Sequence, residues 1–188
     1  MTDRMEHVGP LPGPGASCCV VLALTFFTLP SMAQSREETL LRACNAQVTG
    51  RFRQWRFTPA SEDVAQFAKS RKENPTVTYG DFDGDGRKDV ALLVQDGPAP
   101  AAEYPGRLDS LHIAVCMNPI AGMKLYLIDK PYCGDGITLA PKGQRYHDFT
   151  TETEGVYKLD GVSAYCFEKA GATYQFENGA FRQIVDSD

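Results

Sequence analysis

The segment Tyr79-Gly80-Asp81-Phe82-Asp83-Gly84-Asp85-Gly86-Arg87-Lys88-Asp89-Val90 constrains this chain more than any other. Counted from Asp81, carboxylates fall at positions 1, 3, 5 and 9: Asp81, Asp83, Asp85 and Asp89. Negative charges at that density repel one another unless a cation sits between them. A curling backbone points every second side chain inward, so the first three carboxylates converge. Gly86 at position 6 supplies the freedom that the sharp turn of a calcium loop requires. Arg87 at position 7 would offer its backbone carbonyl and send its side chain to solvent. Oxygen ligands of this kind suit a hard cation, and their flexible geometry favours Ca²⁺ over Mg²⁺. The expected metal ligands are therefore Asp81, Asp83, Asp85, Asp89 and the carbonyl of Arg87, with Ca²⁺ as the cofactor.

The loop is EF-hand-like but not a complete EF-hand, because position 12 is Leu92, where a bidentate Glu would be expected. The run Val90-Ala91-Leu92-Leu93-Val94 is continuously apolar and reads as a buried strand. Val77 and Tyr79 mark a short strand on the other side, so the loop is expected to join two strands. A D-x-D-G-D-G-x-x-D loop between strands resembles the calcium loops of FG-GAP/VCBS-type repeats, as in integrin α-chain propellers. The resemblance implies calcium ligation by Asp81, Asp83, Asp85 and Asp89. It covers the loop alone, in a single copy within a small exported domain of bacterial type. No second copy exists and no period of 20–50 residues runs through the chain, so the repeat count excludes a propeller.

The 188 residues suffice for one domain with a real core. Residues 1–33 read as a signal peptide, with an apolar run from Cys18 to Pro30 too short to span a membrane comfortably. Ser31-Met32-Ala33 places small residues for cleavage before Gln34. The leading stretch, with Asp3, Arg4 and Glu6, lacks the usual positive excess, and an uncleaved anchor is the rival reading. Residues 34–188 are expected to form a single calcium-binding α+β domain. Its first helix starts at a capping box, Ser35 to Glu38, and carries Leu40, Leu41, Cys44 and Val48 at helical spacing. A second short helix runs from Ser61 or Glu62 to about Arg71, with Val64, Phe67 and Ala68 as its apolar face. Between the two helices, Arg51, Arg53 and Arg56 interleave with Phe52, Trp55 and Phe57, read as aromatics inward and arginines outward.

Strands are expected at 111–116, 123–128 and 137–139, with a loop at 97–102 and a turn at Asn118-Pro119. The polar segment from Gln144 to Gly155 reads as a surface loop. Asp160-Gly161 and Asn178-Gly179 are both hairpin signals. The expected architecture is α+β: two N-terminal helices packed on one face of a mainly antiparallel sheet of roughly six to eight strands.

Cys44, Cys116, Cys133 and Cys166 remain after signal removal, an even number in an oxidising compartment, so two disulfides are expected in one of three connectivities. The formal net charge of −5 and the lack of a basic tract argue against nucleic acid as a partner. His112 falls on a strand and His147 adjoins Asp148 in a polar stretch, but no nucleophile motif accompanies either. The sequence thus points to a periplasmic or secreted, calcium-stabilised, non-catalytic binding module whose partner is another protein. An inhibitor or immunity-type protein of the cell envelope fits that description. The alternatives are a structural envelope protein with a calcium-locked fold and a calcium-dependent hydrolase. No stable membrane insertion is expected after signal cleavage.

Overall fold

The computed structural model describes residues 31–97, 107–117, 122–167 and 169–187. The apolar run read as a signal lies outside the described residues, as do most of the 97–102 loop and the Asn118-Pro119 turn. The first helix, α1, spans Ser31–Arg51. It begins four residues before the expected cap, so Ser35 lies within it and Ser31-Met32-Ala33 forms its opening turn.

Eleven strands follow or flank the helices: β1 (Trp55–Phe57), β2 (Val77–Gly80), β3 (Asp89–Asp96), β4 (Leu111–Met117), β5 (Lys124–Asp129), β6 (Gly136–Ala140), β7 (Arg145–Asp148), β8 (Thr153–Val156), β9 (Gly161–Cys166), β10 (Ala170–Glu177) and β11 (Ala180–Ser187). The second helix, α2, spans Glu62–Ser70, and the Ser61 hydroxyl accepts the Val64 N–H at 3.3 Å as its N-cap. The strands form three antiparallel sheets. The first runs β1-β3-β4-β5, with β2 also paired to β3; the second runs β11-β10-β9-β6; the third is the β7-β8 hairpin.

This arrangement corrects the expected α+β architecture, in which two helices covered one sheet. Strand β3 shows why. Val90, Leu92 and Val94 pack with Leu40, Cys44 and Val48 of α1. Ala91 and Leu93, on the opposite face, pack with Ile137, Val162, Ala164 and Ala172 of the second sheet. The continuous apolar run is therefore buried on both sides, by a helix on one and a sheet on the other. Among the described residues, α1 is the helix that covers the first sheet. The α2 helix lies instead beside the second sheet, where the Phe67 ring meets Tyr165 of β9 edge-to-face at 6.0 Å. The described residues form predominantly a two-sheet sandwich carrying one helix on its outer face.

Both disulfides form, pairing Cys44 with Cys116 and Cys133 with Cys166. The first ties α1 to β4 through the core; the second ties the approach to β6 to the end of β9. Such bridges fit an oxidising, non-cytoplasmic compartment. Among the described residues no helix is long and apolar enough to cross a membrane.

Two local expectations are also corrected. Residues 144–155 are not a surface loop but contain most of the β7-β8 hairpin, with Tyr146 opposite Gly155. Asp160-Gly161 turns no hairpin, because β9 pairs with β6 and β10 rather than with β8. Asn178-Gly179 does close one: both residues have positive φ, 52° and 87°, and Glu177 stands opposite Ala180.

Candidate metal centre

Strands β2 and β3 pair antiparallel as far as Gly80 and Asp89, so residues 81–88 are the connecting loop of a hairpin. Its first anchor is Phe82, fully buried in the core between the two sheets. Fixing that ring inside leaves Asp81 and Asp83, its neighbours, at the loop's inner surface. Gly84 and Gly86 both take positive φ, 79° and 81°, a conformation that costs other residues about 1 kcal/mol or more. At Gly84 a Cβ would also fall 2.7 Å from the Leu159 side chain.

The carboxylates of Asp81, Asp83 and Asp89 converge: each offers an oxygen within 4.8 Å of the others. Asp89 is fully buried and one of its oxygens accepts the Phe82 N–H at 3.0 Å. Asp81 uses Oδ2 to accept the Gly86 N–H at 3.0 Å, while its Oδ1 is buried without a hydrogen-bond partner. An orphaned buried carboxylate oxygen is costly unless something positive meets it. Asp83 accepts the Asp85 N–H at 3.1 Å. The oxygen-only donor set and the unpartnered Asp81 oxygen both fit a hard cation.

Asp85 stands apart from this group. Its carboxylate turns to its own loop, accepting the Arg87 N–H and the Arg87 Nε, each at 2.8 Å. The Arg87 side chain thus folds back along the loop. Its hydrogen bond, more than any other contact, holds the Asp85 carboxyl below the ordinary carboxylate range, against a smaller opposing effect of burial. Of the four expected carboxylates, three come together and the fourth is held by an internal ion pair.

Three further contacts position the loop and carried no evident signal in the sequence. Asp160, just before β9, accepts the Asp81 N–H with Oδ2 and the Lys142 N–H with Oδ1, both at 2.9 Å. Leu159 packs against Gly84. Lys88 reaches Glu37 of α1 at 2.6 Å. The dipeptide Asp160-Gly161 looks like a turn, and only the tertiary structure shows its carboxylate latching the acidic loop.

His112 and His147 take ordinary partners: His112 Nδ1 lies 2.7 Å from Asp129, and His147 Nδ1 lies 3.0 Å from Glu154. The chain matches no protein-family model, no curated protein sequence and no solved structure.

Proposed function

We propose that the 81–89 loop binds one Ca²⁺ and that the chain is an exported, calcium-stabilised, non-catalytic module acting on another protein in the cell envelope. The observation that carries the metal reading is the convergence of Asp81, Asp83 and Asp89 around a buried, unpartnered Asp81 oxygen. Asp85 joins the set when a cation replaces the Arg87 guanidinium as its partner, and the Arg87 carbonyl supplies a further oxygen. The FG-GAP/VCBS-like spacing supports Ca²⁺ among hard cations, and the absence of a Glu at position 12 supports modest affinity, on the order of 10⁻⁵ to 10⁻³ M.

Two disulfides support export to the periplasm or beyond. Calorimetric titration of chelator-stripped protein tests the metal: about one Ca²⁺ per chain is expected, and Asp83→Ala and Asp85→Ala should abolish or sharply weaken it. No binding up to several millimolar would remove the reading. Affinity capture from envelope extract tests the partner role; a stoichiometric protein partner supports it, whereas turnover of an envelope substrate by the purified chain overturns the non-catalytic assignment.

A further inference from the structure

An edge strand leaves a row of backbone N–H and C=O groups unpaired, and the described residues close most of the edges in this sandwich. Beside β6, the Ile137 N–H reaches the Pro75 carbonyl ahead of β2 at 2.8 Å. Beside β11, the Val185 carbonyl accepts the Phe149 N–H, just after β7, at 2.8 Å. Of the edges left open among the described residues, β1 has three residues, and β8 is the exposed polar stretch Thr153-Glu154-Gly155 ending at Val156. The other is β5, six residues long and reading Lys124-Leu125-Tyr126-Leu127-Ile128-Asp129, with charges at its two ends alone.

The Lys130 N–H bonds the Leu111 carbonyl at 3.0 Å, which fixes the alternation along β5. Lys124, Tyr126 and Ile128 therefore exchange hydrogen bonds with β4, and Leu125, Leu127 and Asp129 turn their N–H and C=O groups outward. The side chains at this edge are only partly covered. Leu125 and Leu127 lie half-buried against the cluster beneath α1. On the opposite face Tyr126 is half-buried and meets Phe176 and Phe181, also half-buried, edge-to-face at 5.0 and 6.2 Å. Both hydrophobic clusters of the sandwich thus run out to the same open edge. Sheets ordinarily blunt a long apolar edge with inner charges, proline or a covering element, and the interior of β5 carries no charge and no proline.

We propose that β5 pairs antiparallel with β5 of a second copy of this chain, joining the two first sheets across a two-fold axis at Tyr126. Outward-facing backbone groups must meet outward-facing ones, so a shift of one residue is forbidden. Only axes at Tyr126 or Leu127 keep nearly the whole strand paired. With the axis at Tyr126, Leu125 faces the partner's Leu127 and Tyr126 faces the partner's Tyr126, both favourable cross-strand pairs. With the axis at Leu127, Leu125 would face the partner's Asp129 and Lys124 the partner's Lys130, an apolar residue against a charge and two like charges. The strand is therefore complementary to itself in one register, the property an isologous two-fold interface requires. The pairing uses no residue of the acidic loop and does not rest on the metal reading.

Sedimentation velocity of the full folded chain over a concentration series tests it, and a reversible monomer–dimer equilibrium is expected. Leu127→Pro removes an N–H that β4 does not use, so the fold should persist, checked by near-UV circular dichroism. It takes that donor from both copies and should weaken dimerisation by about tenfold or more. Cysteine cross-linking tests the register. Tyr126→Cys sets two thiols at a non-hydrogen-bonded pair, where Cα atoms stand about 4.5 Å apart and an intermolecular disulfide can close. Leu125→Cys sets them on a diagonal of about 7–8 Å, beyond that reach. Mild oxidation should therefore yield a covalent dimer from Tyr126→Cys and not from Leu125→Cys on non-reducing gels. The proposal falls if the parent sediments as a monomer up to about 1 mM, or if Leu125→Cys cross-links as readily as Tyr126→Cys. A dimer that a folded Leu127→Pro chain forms as tightly as the parent also overturns it. The cross-linking result stands whether or not Leu127→Pro folds.

Discussion

On the proposed calcium reading, Arg87 competes with the cation for Asp85. Its guanidinium holds the carboxylate that the loop spacing assigns to the metal, so an ion entering the site displaces an internal partner rather than water. This predicts that Arg87→Gln tightens Ca²⁺ binding about two- to fivefold, the scale of an exposed charge pair. Calorimetric titration of the variant against the parent checks it; unchanged or weaker binding would mean that Arg87 does not compete with the cation for Asp85. The sign of the pH effect follows. The ion pair lowers the folded carboxyl, so its contribution is present above the ordinary carboxylate range and is lost as pH falls through the lowered value. Asp160 makes a second test at this scale. Its two oxygens satisfy the N–H groups of Asp81 and Lys142, and Asp160→Ala would leave both without that acceptor. A loss of about 1–3 kcal/mol in denaturant unfolding is expected, with Asp160→Asn, which retains one acceptor oxygen, losing less.

Among the elements, α1 depends most on a covalent tie. Cys44 and Cys116 are fully buried and join the helix to β4 across a sequence separation of 72 residues. The Cys133–Cys166 bridge spans 33. Chain-entropy arguments give each about 4 kcal/mol, slightly more for the longer loop. The Cys44→Ala/Cys116→Ala pair is therefore expected to lose at least as much stability in urea unfolding as the Cys133→Ala/Cys166→Ala pair, and equal folding with neither bridge would contradict this account.

Elements with strong local signals were legible in the sequence: the apolar run of β3, the alternation of β4, the Asn178-Gly179 turn and the short helix starting at Ser61 or Glu62. The layering was not. A strand buried by helix on one side and sheet on the other has the same apolar composition as one buried by two helices, so residues 90–94 could not say what covers them. The polar β7-β8 hairpin lacked an apolar period altogether. Asp160-Gly161 carried a genuine turn composition, but its carboxylate is occupied by the loop from Asp81, a contact 79 residues distant. The convergence of Asp81, Asp83 and Asp89 was legible because their spacing is local; the diversion of Asp85 to Arg87 was not, since it depends on which rotamer the loop permits.

For the molecule as a whole, the position of β3 decides how far the loop's state is felt. That strand pairs with β1 and β2 along one edge and β4 along the other, and both hydrophobic clusters of the sandwich run through it. Asp89, its first residue, belongs to the converging carboxylates. A cation bound as proposed would draw these groups together and stabilise the entry to the central strand, so its loss would be felt beyond a surface loop. Ligand linkage to the folded state alone gives about 2.7 kcal/mol at a hundredfold excess over Kd. For a domain of this size that corresponds to roughly 5–10 °C in Tm. Calorimetric scans with saturating Ca²⁺ and with chelator should differ by that amount in the parent and not at all in Asp83→Ala. Asp135→Ala supplies the control. Its carboxylate accepts the Phe167 N–H at 3.0 Å, away from the loop, so its removal should lower Tm in both scans and leave their difference intact. A parent whose Tm is indifferent to chelator would disconnect the acidic loop from the stability of the sandwich.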